Sequence, residues 1–502
     1  MAKELYDGIY SSHKLVFIER VEKNLEFYLK NKIVQSKRLG QEILCIVSKE
    51  NLQGVLRELR DNPEFNVQIL NNISKYQSSG DTYVLINLSS VINNFSLLLK
   101  IKLSSGSGPS LNREYIEIIN IVKIYFESAI FYKEGPALES KYSDVTMFSP
   151  FIDGFDFLDI YLLTNDDTIE KAYIDTNIAR VVADDFYINA DIEKLLSYVS
   201  RFDYTAGIFP ELCFCIAMEE LMQLKVQKRV QSIRMIVSEL FRISNHLHFI
   251  ANICKIMGND TVYNLALLER ERVFRVIELI TGSRINPNFV RIGGIRKDLN
   301  KEKLKNIKES LPTLALKVSR IETMLLDNSI ITGRLKDIGI IDRNTALEYG
   351  VTGPNLRSLG IRYDLRKNRN LMLYKDISFL IPLGKYGDCL DRVQVRFGEI
   401  YQSIKIIEQI AYELPEERIK KLINLSELEF PFSSMISSIE CPHGVFKIYI
   451  EVKENTVSNM VLMGPSRNSL FLAEKILEGN RLEDVEIVLG SLDLSCGEIV
   501  RF

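Results

Sequence analysis

Two kinds of apolar pattern occur in the first 140 residues of the chain. EILCIVSK (42–49) and DTYVLINLSS (81–90) are short and rich in branched apolar residues, which predicts strands. NLQGVLRELRDNP (51–63) has apolar residues at helical spacing and predicts an amphipathic helix. Together these elements predict a small α/β domain over residues 1–140, with a linker in the region 135–150.

A small sheet and then a long helical region are predicted next. FDFLDIYLL (155–163) and KAYIDTNIARVVA (171–183) flank the turn sequence TNDDT and predict two strands. Helical spacing dominates from 197 to 425, which predicts a bundle. Gly258 provides an end for one long helix. The apolar face of that helix comprises Ile233, Ile236, Val237, Leu240 and Leu247.

The C-terminal part, 430–502, returns to short apolar runs. VFKIYIEVK (445–453) and MVLMG (460–464) predict strands, LFLAEKILEG (470–479) predicts a helix, and DVEIVLGSL (484–492) predicts a last strand. The expected fold class is therefore α+β, with a helical bundle core, small sheets and a mixed α/β cap.

Composition removes several classes of function. The 63 basic and 66 acidic residues give a net charge of -3, so no basic field for nucleic acid is expected. No apolar run is long enough to span a bilayer and MAKELYDGIY lacks the apolar core of a signal peptide, which predicts a cytoplasmic protein. The seven cysteines form no CxxC pair, and only four histidines occur, so no metal site is predicted.

Five segments carry a family resemblance. They resemble the D subunit of respiratory complex I and the large subunits of membrane-bound energy-converting [NiFe] hydrogenases. The resemblance implies a domain of the [NiFe] hydrogenase large-subunit type over residues 150–502. The segments are QKRVQSIRMIVSELFRISNHL (227–247), ERERVFRVIELITGSRINPNFVRIGGIRKDL (269–299), GVTGPNLRSLGIRYDLRK (350–367), PLGKYGDCLDRVQVR (382–396) and GSLDLSCGEIVR (490–501).

The first domain resembles, more weakly, the C subunit of complex I. The resemblance rests on NLQGVLRELRDNPEF (51–65) and on PSL (109–111) followed by FESAIFYKEG (126–135). It implies that the chain is a natural fusion of a C-like and a D-like subunit.

The hydrogenase branch is excluded by four positions. These hydrogenases hold nickel and iron with two CxxC pairs, because soft metals need thiolate ligands. This chain has Asp203 and Ala206 at the first pair and Ser495 and Glu498 at the second, while Cys496 falls one residue out of phase. We therefore expect no metal and no cofactor on this chain itself.

The sequence RFDYTAG (201–207) resembles the complex I form instead. The resemblance implies that Arg201 lies beside the terminal iron–sulfur cluster of a partner subunit and that Tyr204 donates a hydrogen bond to a quinone headgroup. A phenol can stabilise the negative charge that forms on a quinone oxygen during reduction. From the residue alone, Tyr204 is more readily explained as a half-buried tyrosine at a helix start.

Other polar positions of complex I are changed here. Phe155 stands where the family has a histidine that pairs with the quinone, Ile256 replaces the aspartate that orients this histidine, and Asn286 replaces a histidine beside the cluster. Val445 and Met463 replace a glutamate and an arginine near the C-terminus. The loss of both the histidine and its aspartate predicts a rebuilt acceptor chamber, because an unpaired buried aspartate is costly.

Two hypotheses about function follow. The first is an electron-transfer subunit, active only in a complex I-like NADH (or other donor):quinone oxidoreductase, with an iron–sulfur small subunit and membrane-arm subunits as partners. It would lie peripherally at the cytoplasmic face of the membrane. The second is a non-catalytic scaffold that has lost the quinone site. The turn RIGGI (291–295) lacks the G-x-G-x-x-G spacing, so any NAD binding belongs to other subunits of the complex.

The charged residues of the family motifs allow a structural or a catalytic interpretation. Carboxylates and guanidinium groups must pair when they are buried, which predicts a polar network. For the run 269–271 a solvated helix face explains the charges equally well. His246 and His248 lie two apart on one helix and face different directions, which argues against a shared metal. The predicted network comprises Glu269, Arg270, Glu271, Asp364, Arg366, Lys367, Asp388, Asp391 and Arg392.

Overall fold

The computed structural model describes most of the chain in two compact units. One unit is Met1–Pro136 with Leu347–Gly350, and the other is Ala137–Ala346 with Val351–Phe502. The fold is mixed helix and sheet, which confirms the α+β class. Phe155 and most of the predicted linker lie outside the described residues. The described residues are 18–78, 81–103, 109–126, 145–148, 158–175, 190–369, 371–420, 433–453 and 456–500.

The first unit contains a five-stranded sheet and three described helices. The strand order is β1-β2-β5-β4-β3, with β2 and β5 parallel and the other neighbours antiparallel. Helix α2 buries Leu52, Val55, Leu56 and Leu59, which confirms its predicted amphipathic face. The elements are α1 (18–29), β1 (Ile33–Leu39), β2 (Glu42–Val47), α2 (Leu52–Asp61), β3 (Ile69–Ser78), β4 (Asp81–Ser90), β5 (Phe95–Lys102) and α3 (Pro109–Lys123).

The second unit begins with the predicted small sheet. Strands β6 (Val145–Phe148), β7 (Asp159–Asn165) and β8 (Thr168–Asp175) pair antiparallel. The predicted turn joins β7 to β8, and Asp166 adopts the left-handed conformation with φ 50°. Aspartate tolerates this conformation better than most residues because its short side chain can hydrogen-bond locally.

A helical bundle forms the core of the second unit. All five apolar residues predicted for the long helix are buried, and this helix ends at Ile256 just before Gly258, where φ is 68°. The elements of this part are β9 (Ala190–Asp191), α4 (Ile192–Val199), α5 (Ile208–Leu221), α6 (Lys228–Ile256), α7 (Asp260–Thr281), β10 (Val290–Arg291), β11 (Gly294–Ile295), α8 (Lys301–Leu326), α9 (Ser329–Leu335), α10 (Arg343–Glu348), α11 (Gly353–Arg357), α12 (Leu365–Asn368) and α13 (Cys389–Tyr412).

The mixed cap packs a sheet against helices of the bundle. Strands β12 (Ser433–Cys441), β13 (Gly444–Lys453) and β14 (Thr456–Met463) form an antiparallel sheet with β9 at its edge. Every residue of β13 except Lys453 is buried, so this strand is covered on both faces. Helices α14 (Ser466–Leu477), α15 (Val485–Ser491) and α16 (Cys496–Val500) complete the cap.

The prediction of a last strand over 484–492 is wrong, because this segment forms helix α15. Val485, Val488 and Leu489 are all buried, at the i, i+3 and i+4 spacing of one helix face. Ile487 is buried as well, so the segment is apolar on all sides. A short continuous apolar run has no periodicity that separates a buried helix from a buried strand.

Candidate functional site

The segment 201–207 presents its side chains alternately to the surface and to the interior. Arg201 is exposed and its guanidinium lies 5.3 Å from the ring centre of Tyr198. The side chain of Tyr204 is 54% exposed, whereas Asp203 is fully buried. The Asp203 carboxylate accepts hydrogen bonds from the main-chain N–H groups of Thr205 (3.0 Å) and Ala206 (3.2 Å), which turns the chain into α5.

His443 lies directly beneath this segment, between two buried aspartates. Its Nε2 lies 3.5 Å from Oδ2 of Asp203, and its Nδ1 lies 3.4 Å from Oδ2 of Asp493. Nδ1–H also donates to the main-chain carbonyl of Asp493 at 2.8 Å. Burial opposes a charge on His443, but the carboxylates of Asp493 and Asp203 outweigh it and raise its pKa well above the usual value. The imidazole is therefore held as a buried cation.

The family motif 350–367 fixes the turn that carries His443. This turn joins β12 to β13, and Gly353 lies against it so closely that a Cβ atom there would be 2.5 Å from Cα of Gly444 and 2.7 Å from the carbonyl oxygen of His443. The N–H of Val445 donates to Oγ1 of Thr352 at 3.0 Å. Only glycine fits at position 353, where φ is 68°, so the motif positions the histidine.

Glu498 joins the same buried cluster from helix α16. Its Oε2 accepts from the N–H of Ser466 at 3.0 Å, and the neighbouring Ser495 hydroxyl donates to Oδ1 of Asp203 at 3.2 Å. Burial raises the pKa of Glu498 to about 7, although the His443 charge acts in the opposite direction. Asp203, His443, Asp493 and Glu498 are called the His443 cluster below.

The fold thus brings together the positions at which hydrogenases carry their metal-binding cysteines. Here these positions supply the carboxylates of Asp203 and Glu498, the hydroxyl of Ser495 and the methyl group of Ala206. Hard oxygen donors do not suit a nickel–iron centre, which needs soft thiolates. Within the described ranges no group of three or more His, Cys, Asp or Glu side chains is arranged to hold a metal ion. A nickel–iron centre therefore does not fit this site.

A second buried set of charges crosses the helical bundle. The guanidinium of Arg357 contacts the carboxylates of Glu399 (2.6 Å) and Glu440 (2.7 Å), and Arg366 contacts those of Asp364 (2.7 Å) and Glu239 (3.2 Å). These residues are at most 1% exposed. With Arg242, which contacts Glu239 at 3.2 Å, they are called the bundle network below: Glu239, Arg242, Arg357, Asp364, Arg366, Glu399 and Glu440.

Only Asp364 and Arg366 of the predicted polar residues belong to the bundle network. Asp388 caps helix α13 by accepting from the N–H of Asp391 at 2.8 Å, and Asp391 accepts from the N–H of Gly387 at 3.0 Å. Arg392 donates to the carbonyl oxygens of Gly387 and Gly339 and to the hydroxyl of Ser491. This second group therefore shapes a loop and a helix start.

The run 269–271 forms a third group on helix α7. Glu269 is buried and pairs with Arg272, while Glu271 pairs with Arg284 across the helix end. The guanidinium of Arg270 lies 4.8 Å from the ring centre of Phe274, and burial lowers its pKa to about 10. The predicted network is thus divided among three places in the second unit.

The two histidines of helix α6 have different surroundings. His246 is buried and its Nε2 lies 3.0 Å from Oε2 of Glu399, whereas His248 is half-buried with Asn252 at 3.4 Å. Burial lowers the pKa of His246, so it donates to Glu399 as a neutral imidazole.

Comparison with known proteins assigns the chain to a family. The family model described as "Respiratory-chain NADH dehydrogenase, 49 Kd subunit" matches residues 257–427. The D subunit of NADH-quinone oxidoreductase from Methylacidiphilum infernorum is 35% identical over 342 residues, which cover 62% of this chain and 81% of that protein. The chain belongs to this family. The predicted membership of the complex I D-subunit family is confirmed, and the chain is an oxidoreductase subunit.

Two further comparisons add detail. A fused C/D subunit of NADH-quinone oxidoreductase from Azotobacter vinelandii is 32% identical over 333 residues, which cover 61% of this chain and 56% of that protein, and supports the fusion interpretation. The solved structure of the membrane-bound sulfane sulfur reductase, an archaeal respiratory membrane complex, contains a chain with 29% identity and a TM-score of 0.68. The match covers 73% of this chain and all of that one.

The positions at which the sequence departs from the D-subunit pattern lie in different surroundings. Ile256 is half-buried, and its Cδ1 would be 2.5 Å from a Cβ atom at Gly490, so it makes an apolar contact with helix α15. Asn286 is exposed after the end of helix α7. Phe155 lies outside the described residues. Across the described part of the chain, no helix has the length and apolar character needed to traverse a bilayer.

Sequence reasoning missed most of the two buried charge systems. It did not identify His443 and Asp493, nor Arg357, Glu399 and Glu440. Their partners lie far away in sequence, as the pairing of Arg357 with Glu440 shows. One signal was available for His443: the chain has only four histidines, and this one stands in a Pro-His-Gly sequence directly before the predicted strand 445–453.

Proposed function

We propose that this chain is the electron-transfer subunit of a complex I-like respiratory oxidoreductase and forms part of its quinone-reduction chamber. The observation that supports this proposal is the exposed ring of Tyr204 above the buried His443 cluster, with exposed Arg201 three residues away. In this proposal the Tyr204 phenol donates a hydrogen bond to a quinone oxygen, where negative charge forms during reduction. The chain itself holds no redox group.

The electrons come from the terminal iron–sulfur cluster of a partner subunit, which Arg201 faces. Reduction of a quinone to a quinol consumes two electrons and two protons, so the chamber must also supply protons. The donor, NADH or another reductant, binds to other subunits. The chain lies peripherally at the cytoplasmic face of the membrane, where membrane-arm subunits hold it, and it is active only within the complex.

The substitution Tyr204→Phe in the purified native complex tests this proposal. We expect quinone reduction to fall at least about tenfold, because a positioned acid or hydrogen-bond donor commonly contributes that much or more. Donor-driven reduction of the iron–sulfur clusters, followed by electron paramagnetic resonance, should not change. Tyr412→Phe is the matched control, since Tyr412 is 78% exposed at the end of helix α13 and outside the site.

Unchanged quinone reduction in Tyr204→Phe would contradict the proposal, and unchanged reduction of every acceptor tested would favour the non-catalytic scaffold. The apolar contact of Ile256 and the exposed Asn286 favour that second candidate, because both positions have lost the ionisable groups of the family pattern. The acceptor class needs a separate measurement. The archaeal relative is a sulfane sulfur reductase, so polysulfide should be tested as acceptor beside the quinone. A loss confined to polysulfide reduction would assign sulfane sulfur as the acceptor.

A further inference from the structure

Glu498 is a fully buried carboxyl group with few partners. Oε2 accepts one hydrogen bond from the N–H of Ser466, and Oε1 has no hydrogen-bond partner among the described residues. Gly464 packs against the side chain so closely that a Cβ atom there would lie 2.7 Å from Cδ of Glu498. An ionised carboxylate in such a place normally has a cation or several donors around it. The donors to Glu498 in this part of the chain are the main-chain N–H and the side-chain hydroxyl of a single residue, Ser466.

The charges around Glu498 are already balanced without it. His443 from the β12–β13 turn, Asp203 before α5 and the neutral thiol of Cys441 at the end of β12 are the titratable groups that act on it. His443 is shared by Asp203 and Asp493, and Nε of Arg396 lies 3.5 Å from Oδ2 of Asp493.

Arg396 stays charged at neutral pH, because burial lowers its pKa only to about 10. Two cations, His443 of the cluster and the neighbouring Arg396, thus face the two aspartates. An ionised Glu498 would add an uncompensated buried negative charge, whereas a protonated Glu498 leaves the charges paired.

The helix that carries Glu498 also contacts Tyr204. A Cβ atom at Gly497 would lie 2.2 Å from the carbonyl oxygen of Phe202 and 3.7 Å from Cδ2 of Tyr204. On the other side, the Thr205 hydroxyl links Asp203 to the cluster histidine, because it donates to Asp203 at 2.8 Å and lies 3.2 Å from Nε2 of His443. A change of charge at Tyr204 therefore acts on the cluster at short range.

We propose that Glu498 is held as a neutral carboxylic acid and is the proton store of the acceptor site, releasing its proton when electrons reach an acceptor bound at Tyr204. This inference rests on the proposed function. In each reduction of a quinone to a quinol, the O–H bond of the Glu498 carboxyl breaks and supplies one proton, and water supplies the other. Water then reprotonates the Glu498 carboxylate before the next turnover.

Burial raises the pKa of Glu498 to about 7, which suits a group that must both hold and release a proton near neutral pH. His443 is unsuited to this role, since the carboxylates of Asp493 and Asp203 hold its proton. It serves instead as the fixed cation of the cluster.

Infrared spectroscopy of the purified complex tests the protonation state directly. We expect the parent to show the carbonyl band of a protonated carboxylic acid, shifted in D₂O, and Glu498→Gln to lose it. Glu474→Gln is the matched control, because Glu474 is a half-buried carboxyl group whose pKa is also raised to about 7 by burial and which accepts from the main-chain N–H of Ile174 at 2.8 Å. Glu474→Gln should lose the carbonyl band of the Glu474 carboxylic acid and keep that of Glu498. A Glu498→Gln spectrum identical to the parent would show an ionised Glu498 and overturn the proposal.

The pH dependence of acceptor reduction tests the proton store. With a pKa near 7, the parent rate should fall about tenfold between about pH 6 and pH 8, as the protonated fraction does. The rate of Glu498→Gln should be several-fold lower at pH 6 and nearly independent of pH, while Glu474→Gln should match the parent.

If Glu498→Gln loses the infrared band but keeps the pH profile of the parent, Glu498 is a protonated acid that does not supply protons. This result would overturn its role as proton store. If Glu498→Gln does not fold, the pH titration of the infrared bands in the parent still decides the matter. A carboxylic acid band that disappears near pH 7 in the parent and in Glu474→Gln supports the proposal, and its absence contradicts it. Failure of the proposed function would appear separately, as unchanged turnover in Tyr204→Phe.

Discussion

The bundle network and the His443 cluster both lie in the interior and are rich in charge, but their carboxylates differ in how completely they are hydrogen-bonded. In the bundle network both oxygens of Glu239, Asp364, Glu399 and Glu440 accept a hydrogen bond. In the His443 cluster, Asp203, Asp493 and Glu498 each have one oxygen that is buried without a hydrogen bond among the described residues. Complete pairing fixes a structure, whereas incomplete pairing leaves groups able to change protonation.

The difference follows from the partners that each region offers. Arg357 and Arg366 present several N–H donors in a planar fork, so each can satisfy two carboxylates at once. The cation within the His443 cluster is a single imidazole, whose distances of 3.4 and 3.5 Å from its two aspartates are longer than those of a charge-assisted hydrogen bond. The ion pairs of His443 with the two aspartates are therefore weaker than the hydrogen-bonded ion pairs of the bundle network.

The largest effect on this comparison is expected from Arg357→Met. Removal of the guanidinium leaves the buried carboxylates of Glu399 and Glu440 without their cation, which should lower the free energy of unfolding by about 3–5 kcal/mol. Denaturant unfolding of the full chain measures it. Arg275→Met, in an exposed pair with Glu271, should change stability by less than about 0.5 kcal/mol. Equal losses in the two variants would contradict the structural role of the network.

A smaller loss is expected from Tyr374→Phe in the bundle network. The Tyr374 hydroxyl donates to Oε1 of Glu239 at 2.6 Å, and a hydrogen bond to a buried charged group contributes about 1.5–3 kcal/mol. The unfolding midpoint should fall accordingly, because Glu239 keeps its two arginines but loses one donor. A midpoint equal to that of the parent would show that Glu239 does not need complete pairing.

The smallest effect concerns His443 and depends on pH. The pKa of His443 is higher in the folded protein than in the unfolded chain. Its charge therefore stabilises the fold fully at pH values below the pKa of the unfolded chain, and this stabilisation is lost as the pH rises through the pKa of the folded protein. The stability difference between the parent and His443→Gln should therefore shrink as the pH rises above about 6.5, by at most about 1.4 kcal/mol per pH unit. A difference that grows with pH would show that the imidazole is neutral.

The sequence predicted the elements of this fold well wherever the pattern was local. The spacing of Ile233, Ile236 and Leu240 sufficed for helix α6, and the run 445–453 sufficed for strand β13. It failed for helix α15, where apolar residues on all sides hide the period. Family membership was also readable from the sequence, because the motifs are contiguous.

Only part of the candidate site could be predicted from the sequence. The motif RFDYTAG contains Arg201 and Tyr204, but the sequence does not show what lies beneath Tyr204. That arrangement depends on contacts between distant segments, such as Gly353 against the turn that carries His443. Glu498 entered the sequence reasoning only as a position without cysteine. Its burial and its missing partner are properties of the folded chain alone.

In our proposal the surface above the His443 cluster serves the reaction, whereas the bundle network serves the fold. Removal of one phenol hydroxyl from each region tests it most directly, by measuring acceptor reduction per folded complex in Tyr204→Phe and Tyr374→Phe. We expect acceptor reduction to fall at least about tenfold in Tyr204→Phe at unchanged stability. For Tyr374→Phe we expect parent-like turnover with reduced stability. Equal turnover in the two variants, or the larger loss of turnover in Tyr374→Phe, would contradict it.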